Sequence, residues 1–238
     1  MAFTDLLAAI AIFVNAVKGV SALQLSRDID CQYKTAFVLA HKLREALASE
    51  IDREEELDGV VEVDGAYFGG HVRPANMKVD SVDRRLAEHQ TGTRRVVVAF
   101  RERKGRTLPF VCMDEGEGVT LAAKHVSRLA VMQADEAPHW DRLHDGWQTG
   151  RVSHSEGYSI LGVCTNQVES YFSRLRRMVD GQHHGVSARY LYHYANEAAW
   201  KEDHRRLDNG RAHRRTLRNA LTHPVSRVWK GYWQRAAA

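Results

Sequence analysis

Asp64, Asp135 and Glu169 are the side chains in this sequence whose surroundings aim them at shared chemistry. Asp64 interrupts an apolar run, Gly-Val-Val-Glu-Val-Asp-Gly-Ala-Tyr-Phe (59–68), and Asp135 closes another, Leu-Ala-Val-Met-Gln-Ala-Asp (129–135). Glu169 lies early in a helical stretch over 165–178 whose later turns carry Arg174, Arg176 and Arg177. Carboxylates brought in from separate segments are the hard oxygen ligands that Mg²⁺ or Mn²⁺ takes. Two such ions, about 3.5–4 Å apart, activate an attacking oxygen and stabilise a leaving one in phosphoryl transfer. In that arrangement Asp64 bridges both ions, while Asp135 ligates one and Glu169 the other.

Each acid also has a plainer reading. An Asp that ends a strand is often a turn or cap residue, and Asp145, in His144-Asp145-Gly146, competes with Asp135. Glu169 can be a surface acid paired with Ser173 or Arg176. Asp64 fits such a reading least, because its apolar run continues to Phe68 and an unpaired charge inside a strand is costly. Arg176 follows Glu169 by seven residues, two turns along one helix face, where a cation can hold a DNA phosphate; a surface ion pair is its plainer role. His154, His183 and His184 are further candidates near the site, although no His-x-x-x-His pair marks a histidine metal centre. Tyr190, Tyr192 and Tyr194 fall in a helix-like stretch and read as core.

The elements that must position these groups follow from periodicity. Leu6, Leu7, Ile10, Ile12, Phe13 and Val17 mark a first helix, which Gly19 breaks. Ser21 caps a short segment over 22–28, and a third helix runs over 32–49 with Ala36, Phe37, Leu39, Ala40, Leu43 and Leu47 at helical spacing. The tight turn at 28–31 makes a helix-turn-helix whose last helix would present Gln32, Tyr33 and Lys34 to DNA. The acidic stretch 51–58 reads as a linker. Strands are expected over 60–68, 95–101 and 108–113, the last two joined by a turn at 103–105. The second, Val-Val-Val-Ala-Phe (96–100), has the continuous apolar character of a central strand. A long polar insertion over 69–93, holding Arg73, Lys78, Arg84 and Arg85, separates the first two. A helix with Thr120 near its cap and a strand over 131–134 follow; 136–152 reads as irregular. Helices over 165–178 and 187–206 complete the series. Three strands, a helix and a fourth strand are the layout of an RNase H-like domain, α/β with a mixed sheet, behind a small all-α unit. There the middle of the first strand adjoins the end of the fourth.

The chain has 238 residues and 44 % hydrophobic content, enough for one substantial domain and a small one. No uncharged run reaches membrane-spanning length, so a membrane location is not expected. The apolar start, 1–17, contains Asp5 and Asn15 and lacks a basic leader, which fits a soluble helix. Three scattered cysteines, Cys31, Cys112 and Cys164, give neither zinc ligands nor a disulfide framework and fit a reducing cytoplasm. The net charge of +4 is unevenly spread: residues 201–238 hold ten Lys/Arg and three Asp/Glu (10 − 3 = +7), leaving −3 on the rest. A basic tail, set at 207–238, is an electrostatic footprint for a polyanion.

At these residues the sequence resembles the ISXO-type DDE transposases of bacterial insertion sequences. The stretches that carry the resemblance are Val-Asp-Gly-Ala-Tyr-Phe-Gly-Gly (63–70), Ala-Asp-Glu (134–136) with Trp140 and Leu143, and Val-Ser-His-Ser (152–155). The strongest is Thr-Asn-Gln-Val-Glu-Ser-Tyr-Phe-Ser-Arg-Leu-Arg-Arg (165–177), followed by Gly181, His184, Leu191, Tyr194 and 197–200. The resemblance implies an RNase H-like catalytic domain over 59–206 and a helix-turn-helix over 1–50. It implies Mg²⁺- or Mn²⁺-dependent cleavage and strand transfer at double-stranded DNA, both element ends and target. It makes Asp64 and Asp135 the first two catalytic acids, with Glu169 or Asn166 at the third station. Arg176 stands where the family usually has lysine, with Arg177 beside it toward DNA. Relatives commonly carry a cysteine zinc ribbon ahead of the helix-turn-helix, which this sequence lacks; a shortened copy acting only as a DNA-binding repressor is therefore the alternative. A homo-oligomer on DNA and a bacterial cytoplasmic, nucleoid-associated location are expected by the same analogy.

Overall fold

The computed structural model describes residues 1–51, 54–69, 77–80, 92–152 and 163–234. Arg73, Arg84, Arg85 and His154, and the side chain of Lys78, lie outside the described residues.

Three helices open the chain: α1 (Phe3–Asn15), α2 (Ala22–Asp28) and α3 (Tyr33–Glu50). Gly19, at φ +80°, makes the break after α1. The Ser21 hydroxyl accepts the Gln24 N–H at 3.0 Å and caps α2, as its position before an apolar run suggests. These helices bury Ala9, Ile10, Phe13, Leu25, Ala36, Ala40, Leu43 and Leu47 in a core of their own.

A five-stranded sheet follows, in the order β3-β2-β1-β4-β5. β1 (Val60–Phe68), β2 (Arg95–Glu102) and β3 (Thr107–Cys112) form an antiparallel meander, while β4 (Val131–Asp135) and β5 (Gln148–Val152) run parallel to β1. This order and these senses are the RNase H-like mixed sheet. β5 is a strand where irregular chain was expected. Its residues, Gln-Thr-Gly-Arg-Val, are polar because it is an edge strand with one buried position, Val152. Pro138–Asp145, ahead of it, forms a 3-10 helix.

Alternation along the strands sends side chains to opposite faces. Val61, Val63, Val98, Phe100, Met132 and Ala134 pack with α4 (Glu117–His125), Trp140 and Leu143. Ala66, Phe68, Val97 and Ala99 pack under α5 (Asn166–Arg176) and α6 (Ala188–Asp203). α4 starts at Glu117 rather than near Thr120, because the Glu117 carboxylate accepts the Met113 and Asp114 N–H groups and turns the chain there. Past Arg176 the chain continues as a π-helical turn, Arg177–Gln182.

The acidic stretch after α3 already enters the sheet's core at Leu57, which is buried and bridges to Val126. The basic tail is not free chain: it forms α7 (Asn209–Thr222), packed on α1 and α3, and then turns back over the start of α3. α3 lies against α6 through a buried ion pair, Arg44 Nε to Glu197 Oε2 at 2.7 Å. Lys201 adds a bridge to Glu197 Oε1 at 2.8 Å and donates to the Phe13 and Ala16 carbonyls at the end of α1. The helical unit and the sheet unit are therefore one packed body. Among the described residues no helix is long and apolar enough to cross a membrane.

Candidate active site

β1 presents Glu62, Asp64 and Ala66 to the α5 face. Glu62 is completely buried, and its Oε2 accepts the N–H groups of Gln167 and Val168 at 2.7 and 3.1 Å. A carboxylate there answers the unpaired donors and positive dipole end of α5. Its other oxygen accepts from Arg103 Nε at 2.9 Å. This anchor sets the start of α5 beside Glu62, so the helix runs along β1 past Asp64.

Asp64 pairs across to Ala99 of β2. On its other side, β1 and β4 pair in register from Val60–Val131 to Glu62–Gln133. Two residues further along each strand stand Asp64 and Asp135, on neighbouring parallel strands and, by alternation, on the same face. Asp145 does not compete: it precedes β5, whose Gln148 pairs with Val131, so it sits at the opposite end of β4.

Burial pushes the Asp64 carboxyl up to about 7, and the negative charges of Asp135 and Glu115 add to it. The Gly65 N–H, 2.7 Å from Asp64 Oδ1, and the Arg176 guanidinium pull the other way without cancelling the rise. Three carboxylates thus sense one another at this end of the sheet. Their oxygens are the donor type a divalent ion takes, but among the described residues they are not gathered into a metal-holding group.

Glu115 is the group the sequence reading missed. It lies over Gly65, where a Cβ would come within 2.6 Å of Glu115 Cγ, and its carboxylate pairs with His139 Nε2 at 3.1 Å. Burial raises its pKa too, with His139 opposing and Asp135 reinforcing. The only signal was the acidic run Asp-Glu-Gly-Glu (114–117) following a strand. Glu62 was legible only as the alternate partner of Asp64 in Glu-Val-Asp.

Glu169 is not gathered with the aspartates into an ion cage: its Oε1 accepts the Thr165 hydroxyl at 2.9 Å. Among the described residues no three Asp, Glu, His or Cys side chains form a group able to hold a metal ion. Val168, Tyr171, Phe172 and Leu175 take the sheet-facing side of α5, leaving Glu169 and Arg176 along one flank. Asn166, at the first position of α5, is exposed and shares an outer groove with Glu169 and Arg177. Arg177 donates to the Ser173 carbonyl and hydroxyl. Arg176 borders a cleft of about 760 Å³ that runs past Tyr67, Phe68 and Thr93 at the far end of β1.

The histidines divide. His183 sits against Tyr194 in the seam between α3 and α6, where burial and Arg44 lower its pKa to about 4. His184 is exposed, at φ +54°. At the start of α3, the Lys34 ammonium lies 5.3 Å from the Trp233 ring, and Trp233 Nε1 donates to the Lys34 carbonyl. Tyr33 stacks toward Phe37, and Gln32 is the cap residue, exposed. Of the three tyrosines, Tyr194 is core and Tyr192 is 42 % exposed.

The profile of the ISXO2-like transposase domain matches residues 56–203, from just before β1 to the end of α6. The chain belongs to the ISXO2-like transposase family. Within that domain fall Asp64, Asp135, Asn166, Glu169, Arg176 and the newly seen Glu115. Among solved structures, this transposase-family chain is similar to the crystal structure of the Mos1 strand transfer complex, at 10 % identity and a TM-score of 0.26, over 92 % of this chain and 79 % of that one. A comparison with curated proteins finds no match.

Proposed function

We propose that this protein catalyses metal-dependent cleavage of a DNA strand at an element end and transfers that end to target DNA. The observation that carries the reading is the placement of Asp64 and Asp135 two residues past the Glu62–Gln133 pair of parallel strands, with the Asp64 carboxyl pushed up to about 7 by burial and by neighbouring acids. A bound pair of Mg²⁺ or Mn²⁺ ions would supply charge for the attacking and leaving oxygens. Asp64, on the strand between β2 and β4, would hold them together with Asp135. Glu169, whose carboxylate now accepts from Thr165, would be the third such group, with Asn166, further round the helix, as its competitor. Arg176, on the flank of α5 that Asp64 senses, holds a phosphate of the cut strand at the cleft mouth. Its planar fork grips two phosphate oxygens where a lysine gives one point charge. Glu62 keeps α5 in register and touches no substrate. Duplex DNA is the partner, and two ends held together imply more than one copy of the chain on DNA.

A labelled element end incubated with Mn²⁺ tests the reading. The wild-type chain nicks it, while Asp64→Asn and Asp135→Asn bind it uncut. Binding by the wild type with no nicking at any Mn²⁺ concentration would favour the other reading, a DNA-binding repressor of transposition.

A further inference from the structure

We propose that the outward face of α7, rather than the start of α3, holds duplex DNA by its phosphates. The inference rests on the DNA-processing reading above and says where in the fold the duplex lies.

α7 packs on α1 and α3 through Ala212, Thr216, Leu217 and Ala220, with Thr216 fully buried. Arg211, Arg214, Arg215 and Arg218 follow the helical spacing of one face, and all are exposed. On the helical wheel that face is opposite Thr216. Seven residues of rise make a stripe about 10 Å long, the span of about three nucleotides along one DNA strand.

The stripe keeps its charge. Arg211 bridges to Asp208 at 3.2 Å, and Arg215 to Glu50, but Arg214 and Arg218 have no salt bridge among the described residues. From 204 to 234 there are eight Lys/Arg and one Asp/Glu (8 − 1 = +7). Like charges three and four residues apart destabilise a helix in isolation, and an anion on the stripe removes that cost. The helix is also rigidly mounted. Glu50, at the end of α3, accepts from Trp200 of α6 and from Arg215 and Asn219 of α7. Guanidinium groups fixed on a firm helix match phosphate oxygens well.

Gln32, Tyr33, Lys34 and Thr35 are exposed at the start of α3, but the Phe37 side of the helix is covered by the chain itself. Phe37 lies against Trp229, Tyr232 and Trp233, with ring centroids 6.1, 6.0 and 5.7 Å away. Trp229 is 1 % exposed, and Trp233 is tied to Lys34. A duplex laid along the Phe37 side of α3 would have to displace this aromatic segment, whereas the arginines of the α7 stripe are exposed.

Binding to a labelled duplex of arbitrary sequence, measured in EDTA over a range of salt, tests the proposal. In Arg214→Ala/Arg218→Ala the slope of log K against log salt is expected to fall by about two in magnitude. Arg214→Lys/Arg218→Lys keeps the slope because it keeps the charges, and Lys34→Ala leaves it unchanged. An unchanged slope in the double alanine variant would overturn the proposal, as would binding lost through Lys34→Ala alone. So would a wild-type chain that holds phosphatidylserine vesicles and leaves the duplex free. Nicking by the wild type beside unchanged binding in the double alanine variant would sink the stripe and spare the cleavage reading. Stripe-dependent binding with no nicking would do the reverse.

Discussion

Glu62 of β1 receives the Gln167 N–H at 2.7 Å, so a buried carboxylate in the sheet sets where α5 begins. Glu169 and Arg176 are placed by that contact, one at each end of the helix. Glu62→Ala leaves two helix N–H groups and Arg103 without their acceptor. Breaking a buried charged contact of this kind costs about 3–5 kcal/mol, read as a lowered urea midpoint. Glu62→Gln keeps an acceptor oxygen and is expected to cost less. Equal midpoints for Glu62→Ala and the wild type would contradict the anchoring role.

Acid is expected to loosen the seam between α3 and α6. Burial works to raise the Glu197 carboxyl, yet Lys201 and Arg44 outweigh it and hold it at about 2. Burial and Arg44 lower His41 to about 3, and burial likewise lowers His183 and His193 to about 4. The unfolded chain takes up these protons first, the histidines below about 6.5 and the glutamate below about 4.3. Stability is then full above pH 6.5 and is lost as pH falls toward 3. The urea midpoint should be lower at pH 5 than at pH 7.5; a midpoint that holds or rises at pH 5 would count against the neutral buried histidines.

Asp64 carries the opposite sign. Its folded pKa, about 7, lies above the ordinary carboxylate value of about 3.9, so the folded chain holds the proton longer. Its ionisation therefore costs stability as pH rises from about 4 to about 7, and the full cost persists above that. In EDTA at pH 8, Asp64→Asn should melt higher than the wild type, and the difference should vanish near pH 3. A lower melting temperature for Asp64→Asn at pH 8 would mean that Asp64 is stabilised by a partner other than an ion.

Two substitutions separate the charge from the geometry in the phosphate contact proposed for Arg176. Arg176→Ala is expected to slow nicking by at least about tenfold, the loss of one charged phosphate contact. Arg176→Lys, the usual family residue, should recover most of the rate. Nicking at the wild-type rate in Arg176→Ala would place the phosphate elsewhere.

The extent of legibility differs by element. β1 was readable to its ends, 60–68, because its apolar run is bounded by Gly59 and Gly69, and α2 because Ser21 caps it. β5 was not, since an edge strand with one buried residue has no apolar signature. α7 read as a basic tail because arginines dominate it and its inward residues, Ala212, Thr216 and Ala220, are small. Asp64 and Asp135 stand out in the sequence as acids that interrupt or end a strand. Glu115 does not: it comes from a turn, and only folding lays it over Gly65. Glu169 was placed on the right helix, but its hydrogen bond to Thr165 depends on a rotamer that spacing does not encode.

Calorimetric titration of the DNA-free chain with Mn²⁺ at pH 8 bears most directly on the proposal that Asp64 and Asp135 act together. The wild type should bind Mn²⁺, with affinity falling as the pH is lowered through 7 and Asp64 takes up its proton. Asp64→Asn and Asp135→Asn should each lose most of that binding. Mn²⁺ uptake that is equal in all three chains would contradict the account.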